Sequence, residues 1–150
     1  DLHYPLRRQR HMCIRDRYVA IAGPLSNIAM AVVCSFFIRL MSPEFSYLFV
    51  ILAYGIWINV ALAVFNMLPI YPLDGSSVLK GMVSESVAER LTSVDKFGAI
   101  LILGVFLLDQ FANTGILGTI LVYPINYSVL FLSQETFPMI IEVLKASFAG

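Results

Sequence analysis

"FSYLFVILAYGIWINVALAVFNMLPIYPLDG", residues 45–75, is the stretch whose reading decides the fold. Its first 24 residues, Phe45 to Leu68, carry no charge, and about 20 apolar residues suffice to cross the hydrocarbon core of a bilayer. The stretch reads as a transmembrane helix that stops at Pro69 and Pro72, with a single acid, Asp74, just beyond. Proline has no backbone N–H, and the residue before it is pushed out of the helical region, so residues 68–73 are expected to be extended. Non-helical backbone at membrane depth is tolerated only where it is buried in protein or lines a wet cavity. The break therefore marks a candidate pocket with Asp74 at its edge. A competing reading of the same residues is an exit turn, with Asp74 capping the next helix at Ser76 or Ser77 and Gly75 supplying permissive backbone.

Upstream, Tyr18 to Met41 is a second run of 24 residues with Arg39 as its only charge. "SPE", residues 42–44, then makes the turn of an antiparallel helical hairpin. Downstream, residues 74–96 form a polar stretch in which Ser86 and Glu89 have capping-box spacing, so a short surface helix is expected there. Two apolar runs follow, Phe97 to Leu108 and Gly115 to Leu132, interrupted by "DQFANT" and by Pro124. They fit either a tilted pair of spans or one span plus a broken one. The tail from Thr136 to Ala149 has Phe137, Ile140, Ile141, Leu144 and Phe148 on one face and Glu142 and Lys145 on the other. It is expected to lie as an amphipathic helix at the membrane interface. The fold class that results is all-α: a polytopic transmembrane helical bundle of about 3–4 spans with an amphipathic C-terminal helix.

Composition agrees with this class. Hydrophobic residues are 59% and charged ones 13% of the 150 positions, against about 45–50% and about 25% in soluble domains, and the mean hydropathy is +0.81. A formal net charge of zero hides an asymmetry, for five of the ten Lys and Arg residues fall in the first 17 positions. The rest of the chain has five bases and eight acids, which gives no basic surface for nucleic acid. Residues 1–17 form a basic head without hydrophobic period, and it reads either as native or as a junction foreign to the protein. Residues 18–150 form the second part. The head does not read as part of a signal peptide, because the apolar region after it is a full span that contains Gly23 and Pro24. Cys13 and Cys34 are too few and too differently placed for a disulfide framework. Lys80, Arg90 and Lys96 put the 76–96 loop, and Asp74 with it, on the cytoplasmic side.

Polar residues inside the spans usually face the bundle interior. Asn59 and Asn66 are seven apart and share a helix face. Asn59 reads as helix-to-helix glue, and Asn66 as a residue able to tie down backbone groups freed at the break. In "AGPLSN", residues 22–27, Ala22 and Ser26 form a small-xxx-small pair suited to close helix packing. Met30, Met41 and Trp57 read as packing or lipid-facing residues, Cys34 as a small hydrophobe, and Asp109 as an interfacial helix end.

The two elements together, "AGPLSN" on one span and "FNMLPIYPLDGSSVLKG" at the end of the next, resemble the site-2 protease family of membrane-embedded zinc metalloproteases. The family's second element has the form N-x-x-P-x-x-P-L-D-G, matched here by Asn66, Pro69, Pro72, Leu73, Asp74 and Gly75. The resemblance covers roughly residues 18–110. It implies hydrolysis of peptide bonds in or near transmembrane segments, with membrane-anchored proteins as substrates, membrane lipid as surroundings and one zinc per complete enzyme. It further implies Asp74 as the third zinc ligand, beside two histidines of an HExxH helix whose glutamate is general base. Such a site keeps an open position for water, whose pKa the metal lowers. Asn66, Pro69, Pro72, Leu73 and Gly75 become support for the site, and Gly23, Pro24 and Asn27 helix packing near it. The prolines would hold an extended edge open for a substrate strand.

The sequence departs from the family in one respect: it contains no HExxH, and its two histidines, His3 and His11, lie in the basic head. The chain therefore reads as the C-terminal part of such an enzyme, located in the bacterial cytoplasmic membrane, with the N-terminal helices of the same protein as its missing partner and no catalytic residue of its own. Two rivals remain on the residues alone. One is a pseudoprotease or membrane-interaction protein that binds transmembrane partners without catalysis. The other is a small transporter or channel subunit with a broken ion-binding helix, against which stands the lack of an inverted repeat.

Overall fold

The computed structural model describes residues 3–41 and 46–148, with side chains described at 18–41 and 47–146. All regular elements among them are helical: α1 (His3–Leu40), α2 (Ser46–Asn66), α3 (Asp74–Met82), α4 (Glu85–Val94), α5 (Gly98–Ala112), α6 (Tyr123–Ser133) and α7 (Phe137–Phe148). A 3-10 turn, Asp95–Phe97, joins α4 to α5. The expected hairpin turn at 42–44 lies outside the described residues.

Three stretches are long and apolar enough to cross a membrane among the described residues: Tyr18–Leu40, Tyr47–Asn66 and Glu85–Ala112. At 1.5 Å per residue the 21 residues of α2 extend about 31 Å, which matches the hydrocarbon thickness. Many of their outward residues are large and apolar, among them Val33, Phe36, Phe37, Ile51 and Ile58. A water-soluble protein does not carry so continuous an apolar surface, so the outer faces of these helices suit lipid. This is a membrane protein. Residues 3–17 continue α1, although no hydrophobic period announces them. Leu, Arg, Gln and Met are good helix formers, and a helix nucleated by the span propagates at little cost.

Of the two runs after residue 96, the first is the continuous helix α5, which reaches the length of a span only together with α4 and the 3-10 turn, as Glu85–Ala112. The second contains a π turn, Gly118–Val122, before the 11-residue α6, which alone would reach about 17 Å. Pro124, near the start of α6, has no N–H for the carbonyl four residues earlier, and the wider i→i+5 pattern supplies another donor. The polar stretch holds two helices rather than one. The capping-box reading of Ser86 and Glu89 is overturned, because α4 is already under way at Glu85 and the amides of Val87 and Ala88 donate to the Ser84 carbonyl at 3.0 and 2.9 Å.

The chain divides into two compact units, one of residues 1–25 and 65–117, the other of residues 26–64 and 118–150. In the second, the buried residues recur at helical spacing: Ala31, Ser35 and Ile38 on α1, Phe49, Ala53, Ile56 and Val60 on α2, Ile125 and Val129 on α6, Ile140 and Leu144 on α7. Two expectations change here. The apolar face of α7 is buried against α1, α2 and α6 instead of lying on lipid, because Ile140 and Leu144 fill that core. Close approach of α1 and α2 occurs at Gly55, where a Cβ would come within 2.9 Å of Cys34 Sγ, while Ala22 and Ser26 are exposed. Asn59 turns inward on its own helix: its Nδ2 donates to the Gly55 carbonyl at 2.7 Å, so the hydrogen bond expected between helices is made within one. At the end of α6 the Leu132 carbonyl accepts from Ser35 Oγ at 2.5 Å and from Arg39 Nη2. Helix C-termini leave carbonyls without intrahelical donors, and a guanidinium there also meets the negative end of the helix dipole.

Candidate functional site

The site is the connection from α2 to α3 in the first unit. Helix α2 ends at Asn66, and the Leu68 amide donates to the Phe65 carbonyl at 3.1 Å. The chain then turns twice. The Ile70 amide reaches the Leu68 carbonyl at 2.8 Å across Pro69, and the Leu73 amide reaches the Ile70 carbonyl at 2.9 Å across a cis Tyr71–Pro72 bond. A cis proline at the third position is the hallmark of a type VI turn. The expectation of an extended segment at 68–73 is therefore corrected. Both prolines do end the helix, but they do so in hydrogen-bonded turns that consume the amides of residues 68, 70 and 73. A strand-pairing edge at these positions is not what the backbone offers.

After the second turn Leu73 is buried, and its backbone is extended as the N-cap of α3. Its carbonyl accepts from the Ser76 amide at 3.1 Å and from Ser76 Oγ at 2.9 Å. Asp74 is thus the first residue inside the helix and not its cap, which removes the exit-turn role considered for it. A carboxylate in the first turn is favoured by the helix dipole. Its direction is set by α1: a Cβ built on Gly23 would lie 2.9 Å from Asp74 Oδ2. The carboxylate rests on bare backbone at the glycine of "AGP", and any side chain at 23 would have to displace it. Pro24, next to it, is buried.

Gly75 is as closely confined, since a Cβ there would stand 2.5 Å from the Met67 carbonyl carbon. The absence of a side chain lets the first turn of α3 pack onto the chain leaving α2. Asn66 and Asn27 are both half-buried, and neither side chain hydrogen-bonds to another described residue. Asn66 lies in the same compact unit as Gly23, Pro24, Pro69, Pro72, Leu73, Asp74 and Gly75, whereas Asn27 belongs to the other unit.

Three participants escape a reading of the motif alone. Gly98, buried at the start of α5, lies so close to Tyr71 that a Cβ there would overlap the Tyr71 carbonyl and stand 2.9 Å from its carbon. Lys80 of α3 pairs with Asp95 of the 3-10 turn, and its ammonium lies 5.8 Å from the centre of the Tyr71 ring. A glycine directly after Phe97, opening an apolar run, was the one signal available for the first. These residues line a cleft of about 340 Å³ together with Pro69, Ile70 and Leu101.

As a metal site the arrangement is incomplete. No three His, Cys, Asp or Glu residues converge among the described residues, while a zinc site needs three or four protein ligands. Asp74 offers a carboxylate without companions, so these residues do not hold zinc by themselves.

Comparison with known proteins finds one family profile over this stretch and two similar proteins. The profile of peptidase family M50 matches residues 40–109, from the end of α1 through the loop and Asp74 into α5. A protein of Bacillus subtilis (strain 168) named "Putative zinc metalloprotease YwhC" is 33% identical over 96 residues, which covers 59% of this chain and 44% of that protein. "Putative zinc metalloprotease MJ0611" of Methanocaldococcus jannaschii is 50% identical over 62 residues, 41% of this chain and 32% of that protein. The chain thus spans less than half the length of either relative. No solved structure matches it. The profile match, which includes the Pro-x-x-Pro-Leu-Asp-Gly turn described above, and the homology to the two relatives make this chain similar to peptidase family M50, the site-2 protease family, over residues 40–109.

Proposed function

We propose that the chain is the C-terminal part of an intramembrane zinc metalloendopeptidase, to which it contributes Asp74 as one of three metal ligands. The observation that carries this reading is the placement of the Asp74 carboxylate. It sits in the first turn of α3, aimed at the backbone of α1 at Gly23 and unused as a helix cap. A carboxylate at membrane depth without a counter-charge or metal is costly. The other ligands, two histidines of an HExxH helix with its glutamate as base, belong to N-terminal helices of the same protein that these 150 residues do not include. The coverage of the two relatives supports a longer parent protein. When bound, zinc would supply Lewis acidity and an activated water. What this chain does is hold one oxygen donor at a fixed place, with Pro69, Pro72, Leu73 and Gly75 fixing the turn and Asn66 closing α2.

The substrates are membrane-anchored proteins cut in or near their transmembrane segments, as in regulated intramembrane proteolysis. The site faces the cytoplasm from a bacterial cytoplasmic membrane, an orientation supported by Lys80, Arg90 and Lys96 on the 76–96 loop. On its own the chain is inactive. The test is to read the native coding sequence upstream of Tyr18 and assay the full-length protein on a membrane-anchored substrate. The expected result is HExxH on an apolar stretch, with peptidase activity abolished by Asp74→Asn. A coding sequence without that motif would contradict the reading and favour a pseudoprotease that binds transmembrane partners, the alternative that the missing HExxH supports.

A further inference from the structure

We infer that Gly98, with the Lys80–Asp95 ion pair, is the positioning device of the Asp74 carboxylate. It acts by locking Tyr71 between α3 and α5. This rests on the proposed role of Asp74, but its own geometry is independent of any metal. Tyr71 occupies the middle of the type VI turn, three residues before Asp74. Its carbonyl is pressed onto the Gly98 backbone, closer than any residue with a Cβ would permit. Its ring lies beneath the Lys80 ammonium, and Lys80 is tied to Asp95, three residues before Gly98. Both side chains of the ion pair are about one-fifth exposed, so water screens the pair only in part.

The loop is therefore fixed at its centre by backbone contact on one side and by a cation on the other. From that fixed point only Pro72 and Leu73 intervene before Asp74, and Leu73 is buried. A shift of Tyr71 is thus transmitted to the carboxylate with little slack. A site residue needs to be held to within a fraction of an ångström by the groups behind it. Gly98 supplies this without touching Asp74. Gly104 lies on the same helix with nothing within 4 Å of a Cβ, so it provides a matched control.

The experiment compares the 150-residue chain in lipid nanodiscs with its variants by two readouts: amide hydrogen exchange across residues 66–76 and carbodiimide labelling of the Asp74 carboxylate. Gly98→Ala should speed both by about tenfold or more, while exchange across Ala53 to Val60 stays at the wild-type rate and Gly104→Ala changes nothing. Lys80→Met should loosen the same residues, and Lys80→Arg, which keeps a cation for both the ring and Asp95, should leave them close to the wild-type rates. Retention by the conservative variant separates positioning from a general loss of stability. If Gly98→Ala does not fold, the two Lys80 variants decide the matter. Unchanged exchange and labelling at 66–76 in a folded Gly98→Ala, or in Lys80→Met, overturns the inference. Failure of the ligand role is recognised separately, by full activity in a full-length Asp74→Asn protein with both readouts here as expected.

Discussion

At the scale of single residues, Gly23, Gly55, Gly75 and Gly98 mark where backbone approaches a neighbour, and such approaches can be tested. Gly23 leaves room for the Asp74 carboxylate. Gly23→Val would force that group away, and a displacement of about 1 Å at a reacting centre costs on the order of 10²-fold in rate. Peptidase activity of the full-length variant should fall by about that much while the protein still inserts and folds. Gly55 serves a different end, the contact of α1 with α2 at Cys34. Gly55→Leu should overpack that contact and lower stability by about 1–3 kcal/mol, measured by unfolding in detergent. The motif itself was legible in the sequence, as was the end of the helix at the prolines. Its turn geometry was not, because proline rules say where a helix stops and not whether the following amides find partners nearby. Gly98 was hidden for a related reason: its partner, Tyr71, is 27 residues away in sequence, and no local rule reaches so far.

At the scale of elements, α7 departs most from expectation. An amphipathic period says that one face is apolar, but it does not say whether lipid or protein covers that face. Ile140 and Leu144 are buried with Ile38, Ile56 and Val129, so protein covers it. Ile140→Ala should then destabilise the fold by about 2 kcal/mol, the lower end for such cavities in soluble cores. The low value is expected because an apolar group leaving a membrane protein core enters lipid and not water. Glu142→Ala on the exposed face of the same helix should have no measurable effect. Equal effects of the two substitutions would return α7 to the interface. The third span was read correctly as apolar, whereas its neighbour was ambiguous because Pro124 both starts α6 and produces the π turn before it.

At the scale of the whole molecule, similarity to peptidase family M50 over residues 40–109 and the three apolar stretches mark a membrane protein. The class was readable from composition alone, because 13% charged residues cannot clothe a soluble surface of this length. The proposed sidedness rests on the lysines and arginine of residues 76–96. A cysteine placed at the exposed Ser93 should react with a membrane-impermeant maleimide only from the cytoplasmic face, and labelling from the outside of intact cells would reverse the topology. The central claim, that Asp74 is a metal ligand, is tested most directly by the zinc content of the purified full-length protein. The account predicts close to one zinc per chain in the wild type and in Asp109→Ala, whose carboxylate is engaged by Thr114 Oγ1 at 2.8 Å, and near zero after Asp74→Ala. Undiminished zinc in folded Asp74→Ala would contradict it.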